Sequence, residues 1–375
     1  MKKKIAILTT HRANNFGAML QAYSLVTACR ELGANAEILD WRHPFFEWQY
    51  HTAWRMHRNP IPAIKHLWWY ITKESEVRRR FEEFRSLLPL SPVINNRSEL
   101  EKIENIYDIF IVGSDQVWNP INTSIDSINF DRACLLDFVT RKKKYAYAAS
   151  IGRQAISPPE LLSEFVNAWK SFDGITMRES AGSNYVEEQI SRKIETVVDP
   201  VLLHDKDFWR DMAKIKQSDS EIILVYNIRR FQQLRNVAEE LAKKEGLKIV
   251  DLLVPAITEK RSSTTVCAGP LDFLSYVNSA KYIVTDSFHA SAFATIFGKK
   301  LYVQYNQQKG NANSRMDTLF SWAGVEGKEI VNTDNEHVVF FNCSLKDQIK
   351  LNNEITRSKK ILAAMLEGNY SSSIK

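Results

Sequence analysis

Hydrophobic positions along this chain cluster in short continuous runs, each followed by a polar loop and then by a helical stretch. Ile5-Ala-Ile-Leu8 has the character of a strand buried on both faces, and so do Tyr107–Gly113, Lys144–Ser150, Gly174–Arg178 and Glu195–Asp199. Such runs belong to parallel sheets covered by helices on both sides. A helix is expected over Ala18–Leu32, ending at Gly33, with a second strand at Ala36–Asp40. This β-loop-α-β unit opens a doubly wound sheet. A second series starts near Glu221. It has strands at Ile222–Tyr226, Leu247–Asp251, Tyr282–Thr285 and Leu301–Tyr305, with helices at Phe231–Glu245, Gly269–Ser279 and Ala290–Phe297.

Two stretches break the rhythm. Residues 41–100 are aromatic and basic up to Tyr70 and then charged and helical from about Glu74 to Ser86. They are expected to form an insertion, either an ordinary helical subdomain or a surface for acceptor or membrane, since Trp, Tyr and Arg favour interfaces. Asp347–Leu366 predicts a polar terminal helix, and Ser371–Lys375 a disordered tail. The expected fold class is α/β, with two Rossmann-like doubly wound domains facing across a cleft. Residues 1–200 form the first domain, with the insertion at about 41–100, 201–350 the second, and 351–375 the terminal helix and tail.

With 375 residues, two domains are the natural expectation. The net charge of +6 is mild and does not mark a nucleic-acid binder, although it suits an anionic substrate or an acidic membrane surface. Cys29, Cys134, Cys267 and Cys343 are too scattered for a metal site or a small-domain disulfide framework, so reduced cysteines in a cytosolic protein are expected. No run approaches the roughly 18–20 apolar residues of a membrane span.

The richest chemistry lies in Thr285-Asp-Ser-Phe-His289, where a strand meets a helix of small residues. Free N–H groups and the helix dipole favour an anion there. His289 in the first turn can move a proton near neutral pH. Strand-end topology brings the Asn14–Gly17 loop, the Ser114–Asn119 loop and Arg178 toward the same cleft.

Together these loops resemble the polysaccharide pyruvyl transferase family. The resemblance is carried by Asn14-Asn-Phe-Gly-Ala-Met-Leu-Gln-Ala-Tyr23, Val112-Gly-Ser-Asp-Gln-Val-Trp118, Met177-Arg-Glu-Ser180, Val198-Asp-Pro200, Thr285-Asp-Ser-Phe-His289 and Lys309-Gly-Asn-Ala-Asn-Ser-Arg315, in the family's order over roughly residues 3–325. Ala290 stands where many relatives carry Gly, and Ser287-Phe288 where other branches carry Arg-Leu; if that Arg helps hold the donor in those branches, this chain must use another cation. The resemblance implies a GT-B-like fold, phosphoenolpyruvate as co-substrate with no cofactor or metal, and a sugar diol of a cell-surface glycan, capsule or exopolysaccharide, or its lipid-linked precursor, as acceptor. A bacterial, cytoplasmic location with peripheral contact at the inner membrane face would follow.

On this reading His289 and Asp115 are the candidate catalytic residues. Arg178, Ser287, Phe288, Lys309 and Arg315 are candidates for donor binding, and Asn15, Gly17 and Ser114 for acceptor binding. Arg suits a planar bidentate anion and Lys a point contact. The bland alternatives are a packing or capping His289, a turn-capping Asp115, Asn15 and Gly17 that only shape a turn, and an Arg178 spent in an ion pair with Glu179 or Asp199. Trp118 is expected to pack. Two other functions compete: a GT-B glycosyltransferase using a nucleotide-sugar, and a non-catalytic scaffold in capsule assembly.

Overall fold

The structure, a computed structural model, describes residues 2–42, 75–124, 127–129, 131–152, 155–215, 221–253, 264–305, 313–332 and 337–371. The aromatic stretch up to residue 74, Lys309 and the end of the tail lie outside the described residues.

Seven strands form the first sheet: β1 (Lys4–Leu8), β2 (Asn35–Trp41), β3 (Leu90–Ile94), β4 (Ile109–Val112), β7 (Lys143–Ala149), β8 (Gly174–Met177) and β9 (Glu195–Thr196). The short hairpin β5 (Ile121–Ser124) and β6 (Ser127–Asn129) stands apart from it. The spatial order is β3-β2-β1-β4-β7-β8-β9, parallel throughout. In β1, Ile5 to Leu8 are buried on both faces, as a covered parallel sheet requires.

The second sheet runs β12 (Thr265–Val266), β11 (Lys248–Leu252), β10 (Ile222–Tyr226), β13 (Ala280–Thr285), β14 (Lys300–Tyr305), β16 (His337–Asn342) and β15 (Gly327–Asn332). It is parallel except where β16 returns antiparallel to β14 and β15. The chain is therefore α/β with two doubly wound sheets, as expected.

The helices that position the site are α1 (Phe16–Glu31), α2 (Ser75–Arg85), α3 (Ser180–Ile190), α4 (Pro270–Ser279), α5 (Phe288–Phe297), α6 (Ser314–Ala323) and α7 (Gln348–Leu366). Helix α1 starts two residues before the expected Ala18, because the side chain of Asn15 accepts the N–H of Ala18 at 3.1 Å and caps the helix there. Helix α5 is buried along all ten residues, which its small-residue sequence allows.

The β-α-β alternation also continues through the region expected to be inserted. Leu90–Ile94 joins the sheet as an edge strand beside β2. Pro92 hides it in the sequence, since a proline gives no N–H to a ladder and is tolerated at an edge. The terminal helix α7 crosses back onto the first lobe. Ser358 Oγ accepts the N–H of Val198 at 3.1 Å, Arg357 pairs with Glu195 at 2.7 Å, and Tyr370 packs on Gly174 and Tyr145.

The lobes share one hydrophobic core. Phe16 from the first lobe stacks on Phe273 of α4 at 5.2 Å and on Phe81 of α2 at 5.3 Å, with Tyr226 edge-on at 5.1 Å. Arg80 of α2 also pairs with Asp272 at 2.7 Å. These contacts set the carboxyl ends of the two sheets against each other. Both sheets switch direction there, between β1 and β4 and between β10 and β13.

Candidate active site

Four loops meet at the switch points. The β4 loop begins at Gly113, with φ of 119° and a backbone so close to Tyr147 that a Cβ would fall 2.1 Å from its carbonyl oxygen. Only glycine fits there. Asp115 follows with a left-handed φ of 70°, its carbonyl held by the N–H of Ser150 at 3.0 Å. Ser114 is fully buried. Its hydroxyl donates to Ala148 O at 3.0 Å and lies 3.3 Å from Asp199 Oδ2. It lies beneath the cleft, with no surface open to an acceptor in this structure.

The side chains converge on Arg178, which leaves the end of β8 and is 1% exposed. Its Nη1 donates to Asp199 Oδ2 at 2.9 Å and to Asp115 Oδ1 at 3.3 Å. Its Nε lies 3.9 Å from Glu179. The Nε and Nη2 atoms are buried without a hydrogen-bond acceptor. Arg178 thus forms the ion pair with Asp199 that was one of the two alternatives, and it still keeps two nitrogens, Nε and Nη2, without an acceptor. Buried donors of this kind need a partner, which a ligand can supply.

Asp115 accepts a further hydrogen bond from Thr10 Oγ1 at 3.1 Å. Burial would raise its affinity for a proton, but the charges of Arg178 and His289 outweigh this and hold it below the usual carboxylate value. Asp199 behaves alike: burial opposes its charge, and His289 and Arg178 keep it ionised well below the carboxylate range. For Glu179 burial wins, pushing its carboxyl above its ordinary value against the pull of Arg178 and Arg315. Its Oε1 accepts from Ser150 Oγ at 2.8 Å, and Oε2 has no hydrogen-bond donor among the described residues.

From the second lobe come α5 and α6. Ser287 caps α5, accepting from Ala290 N at 3.4 Å, while Asp286 turns away to bind the N–H groups of Ile228 and Arg229 at 2.7 and 3.1 Å. His289 is 8% exposed, with Nε2 at 3.4 Å from Asp199 Oδ2. The Phe288 ring lies under two guanidinium groups, that of Arg178 at 4.6 Å and that of Arg315 at 5.9 Å. Arg315 makes no hydrogen bond or ion pair among the described residues. Burial and the neighbouring Arg178 charge pull it down to about 10, which leaves it cationic at neutral pH.

The structure therefore brings His289, Asp115, Arg178, Phe288 and Arg315 into one cluster, with Ser114, Ser287 and Gly17 in its walls. Asn15 spans the lobes, its Nδ2 3.5 Å from the Tyr226 hydroxyl. Trp118 is buried and donates to Cys134 O at 3.0 Å, so it packs as expected. Asp199, Glu179 and Thr10 were not among the candidates. Asp199 and Glu179 sit in the Val-Asp-Pro and Met-Arg-Glu motifs, where a signal was available; Thr10 had none. No helix among the described residues is long and apolar enough to cross a membrane.

A sequence model described as polysaccharide pyruvyl transferase matches residues 15–306. Among curated proteins none matches this chain. Among solved structures, UDP-GlcNAc 2-epimerase from Neisseria meningitidis, bound to UDP-GlcNAc, is similar over 100% of this chain and 95% of its own, at 11% identity and a TM-score of 0.51. The UDP-GlcNAc 2-epimerase of Methanocaldococcus jannaschii covers 80% of this chain and 83% of its own at 14% identity and a TM-score of 0.43. A spinosyn rhamnosyltransferase covers 98% and 96% at 9% identity and 0.40. The Neisseria likeness places the fold with the GT-B arrangement and carries nothing about substrate.

Proposed function

The chain belongs to the polysaccharide pyruvyl transferase family, and from that premise we propose that it moves a pyruvyl group from phosphoenolpyruvate to two hydroxyls of one sugar in a cell-surface polysaccharide or its lipid-linked precursor. The observation that carries this reading is the meeting of His289 with two guanidinium groups, Arg178 with two unpaired nitrogens and Arg315 with no hydrogen bond among the described residues. A small dianion with a carboxylate and a phosphate matches two forks, and a vinyl carbon between them needs a proton carrier.

In this reading Arg178 and Arg315 hold the carboxylate and phosphate, and His289 protonates the methylene carbon. The C=C pair forms the new C–H bond, which leaves a cationic carbon bearing the phosphate ester. One sugar hydroxyl adds to that carbon and loses its proton, for which Asp115 is the acceptor candidate. Phosphate then departs with the C–O electron pair, and the second hydroxyl takes its place, passing its proton to the departing phosphate, which gives the ketal and inorganic phosphate. Proton transfer by a placed side chain contributes about 10²–10⁴-fold. A lipid-linked acceptor would put this work at the inner membrane face.

The test is incubation of the purified chain with phosphoenolpyruvate and candidate glycans, following phosphate release and the mass of the glycan. Stoichiometric phosphate and pyruvyl-modified sugar are expected. Sugar transfer from a nucleotide-sugar, with no turnover of phosphoenolpyruvate, would replace this reading by the glycosyltransferase one.

A further inference from the structure

Asp199 is fully buried where the chain leaves β9 toward the second lobe. Its Oδ1 accepts the N–H of Val201 at 3.1 Å. Its Oδ2 meets Arg178 Nη1 at 2.9 Å, Ser114 Oγ at 3.3 Å and His289 Nε2 at 3.4 Å. All these partners but His289 belong to the first-lobe side; His289 comes from the second. The carboxylate is acceptor-only, so the nitrogen facing it must carry the proton for the pair to be favourable. The other nitrogen, Nδ1, makes no hydrogen bond among the described residues, and the Cγ–Nδ1 edge rests on Gly17.

We propose that Asp199 is the positioning residue of the site, fixing the Nε2–H tautomer of His289 across the lobe boundary and making Nδ1 the nitrogen that exchanges a proton with the substrate. This rests on the reading of His289 as proton carrier given above. The imidazolium breaks its Nδ1–H bond to give the proton to the methylene carbon and relaxes to the neutral Nε2–H form that Asp199 prefers. At 3.4 Å Nε2 is within reach of Asp199 Oδ2, and this is the carboxylate the ring faces. The proton carrier is therefore assembled only while the lobes are docked.

The experiment is a long-range ¹H–¹⁵N spectrum of the full chain labelled at the histidine ring nitrogens, with the His289 signals assigned from a His289→Gln variant. In the wild type the proton of the neutral ring should sit on Nε2. In Asp199→Asn that single-tautomer signature should be lost, with kcat down about 10²-fold and KM for phosphoenolpyruvate within about threefold. A wild-type ring protonated on Nδ1, or an unchanged signature in Asp199→Asn, would overturn the proposal. The wild-type spectrum does not depend on Asp199→Asn, so a misfolded Asp199→Asn leaves the proposal open to refutation. It also needs no substrate, so a failed pyruvyl-transfer assay and a failed tautomer assignment are separate results.

Discussion

Gly17 and His289 are in direct contact across the two lobes: a Cβ built on Gly17 would fall 2.1 Å from His289 Nδ1 and 2.2 Å from Cγ. The first turn of α1 and the first turn of α5 therefore interlock, and the site histidine has its place only because residue 17 lacks a side chain. Gly17→Ala must displace the ring or part the lobes. Overpacking of this kind costs about 1–3 kcal/mol. A lower melting temperature and at least a tenfold loss of phosphate release are expected together; wild-type turnover in Gly17→Ala would show that the ring position does not matter.

Arg178 and His289 should separate in stability. Arg178→Ala leaves the buried carboxylate of Asp199, and the half-buried Asp115 beside it, without the cation between them, and breaking such a buried pair costs about 3–5 kcal/mol. His289→Ala removes a group with no formed hydrogen bond at Nε2 and should leave folding far less affected. Denaturant titration of both variants checks this, and equal midpoints would refute the assigned ion-pair network.

Arg315 carries a cation with no ion pair among the described residues, beside the like charge of Arg178. Arg315→Gln is therefore expected to leave the melting temperature unchanged or raise it, while weakening phosphoenolpyruvate by about tenfold or more in calorimetric titration. A marked loss of stability with intact binding would assign Arg315 a structural role instead.

Glu179 gives a pH signature. Its folded-state value is raised by burial above the ordinary 4.5, so the native chain holds that proton more tightly than the unfolded chain does. Its contribution to stability is present below about 4.5 and is lost as the pH rises through the raised value. Glu179→Gln keeps an acceptor for Ser150 and removes the titration, so its melting temperature should gain on the wild type between pH 4 and pH 7. Asp199 works with the opposite sign: its depressed value makes stability present above the ordinary 3.8 and lost on acidification. Melts of both proteins across pH 3–7 decide the point, and parallel curves would contradict the buried-carboxyl assignment.

Phe16 holds the lobes together by stacking on Phe273 and meeting the edge of Tyr226, with Phe81 of its own lobe stacked beside it. Phe16→Ala should cost about 3–5 kcal/mol and widen the molecule in small-angle scattering, since the cavity opens at the boundary between lobes. Unchanged stability would mean that the lobes dock through other contacts.

The local sequence was enough to read most of the parallel strands, both doubly wound series and the loops that bear the chemistry. A buried parallel strand is a continuous apolar run, and its polar loop follows directly in the chain, so both signals sit within a few neighbouring residues. The family motifs are equally local. Strand Leu90–Ile94 escaped because Pro92 argues against a strand unless the edge position is known.

Which side chains meet was decided only by the tertiary structure. Arg178 finds Asp199 from 21 residues away and Asp115 from 63. His289 rests on Gly17 from the far end of the chain, and Ser114, a surface candidate by its loop, is sealed beneath the site. Burial and pairing depend on what packs from distant segments, and that packing sets whether a charge is exposed, shared or left with a donor to spare. The sequence supplied the groups, and docking of the two lobes gave each one its partner.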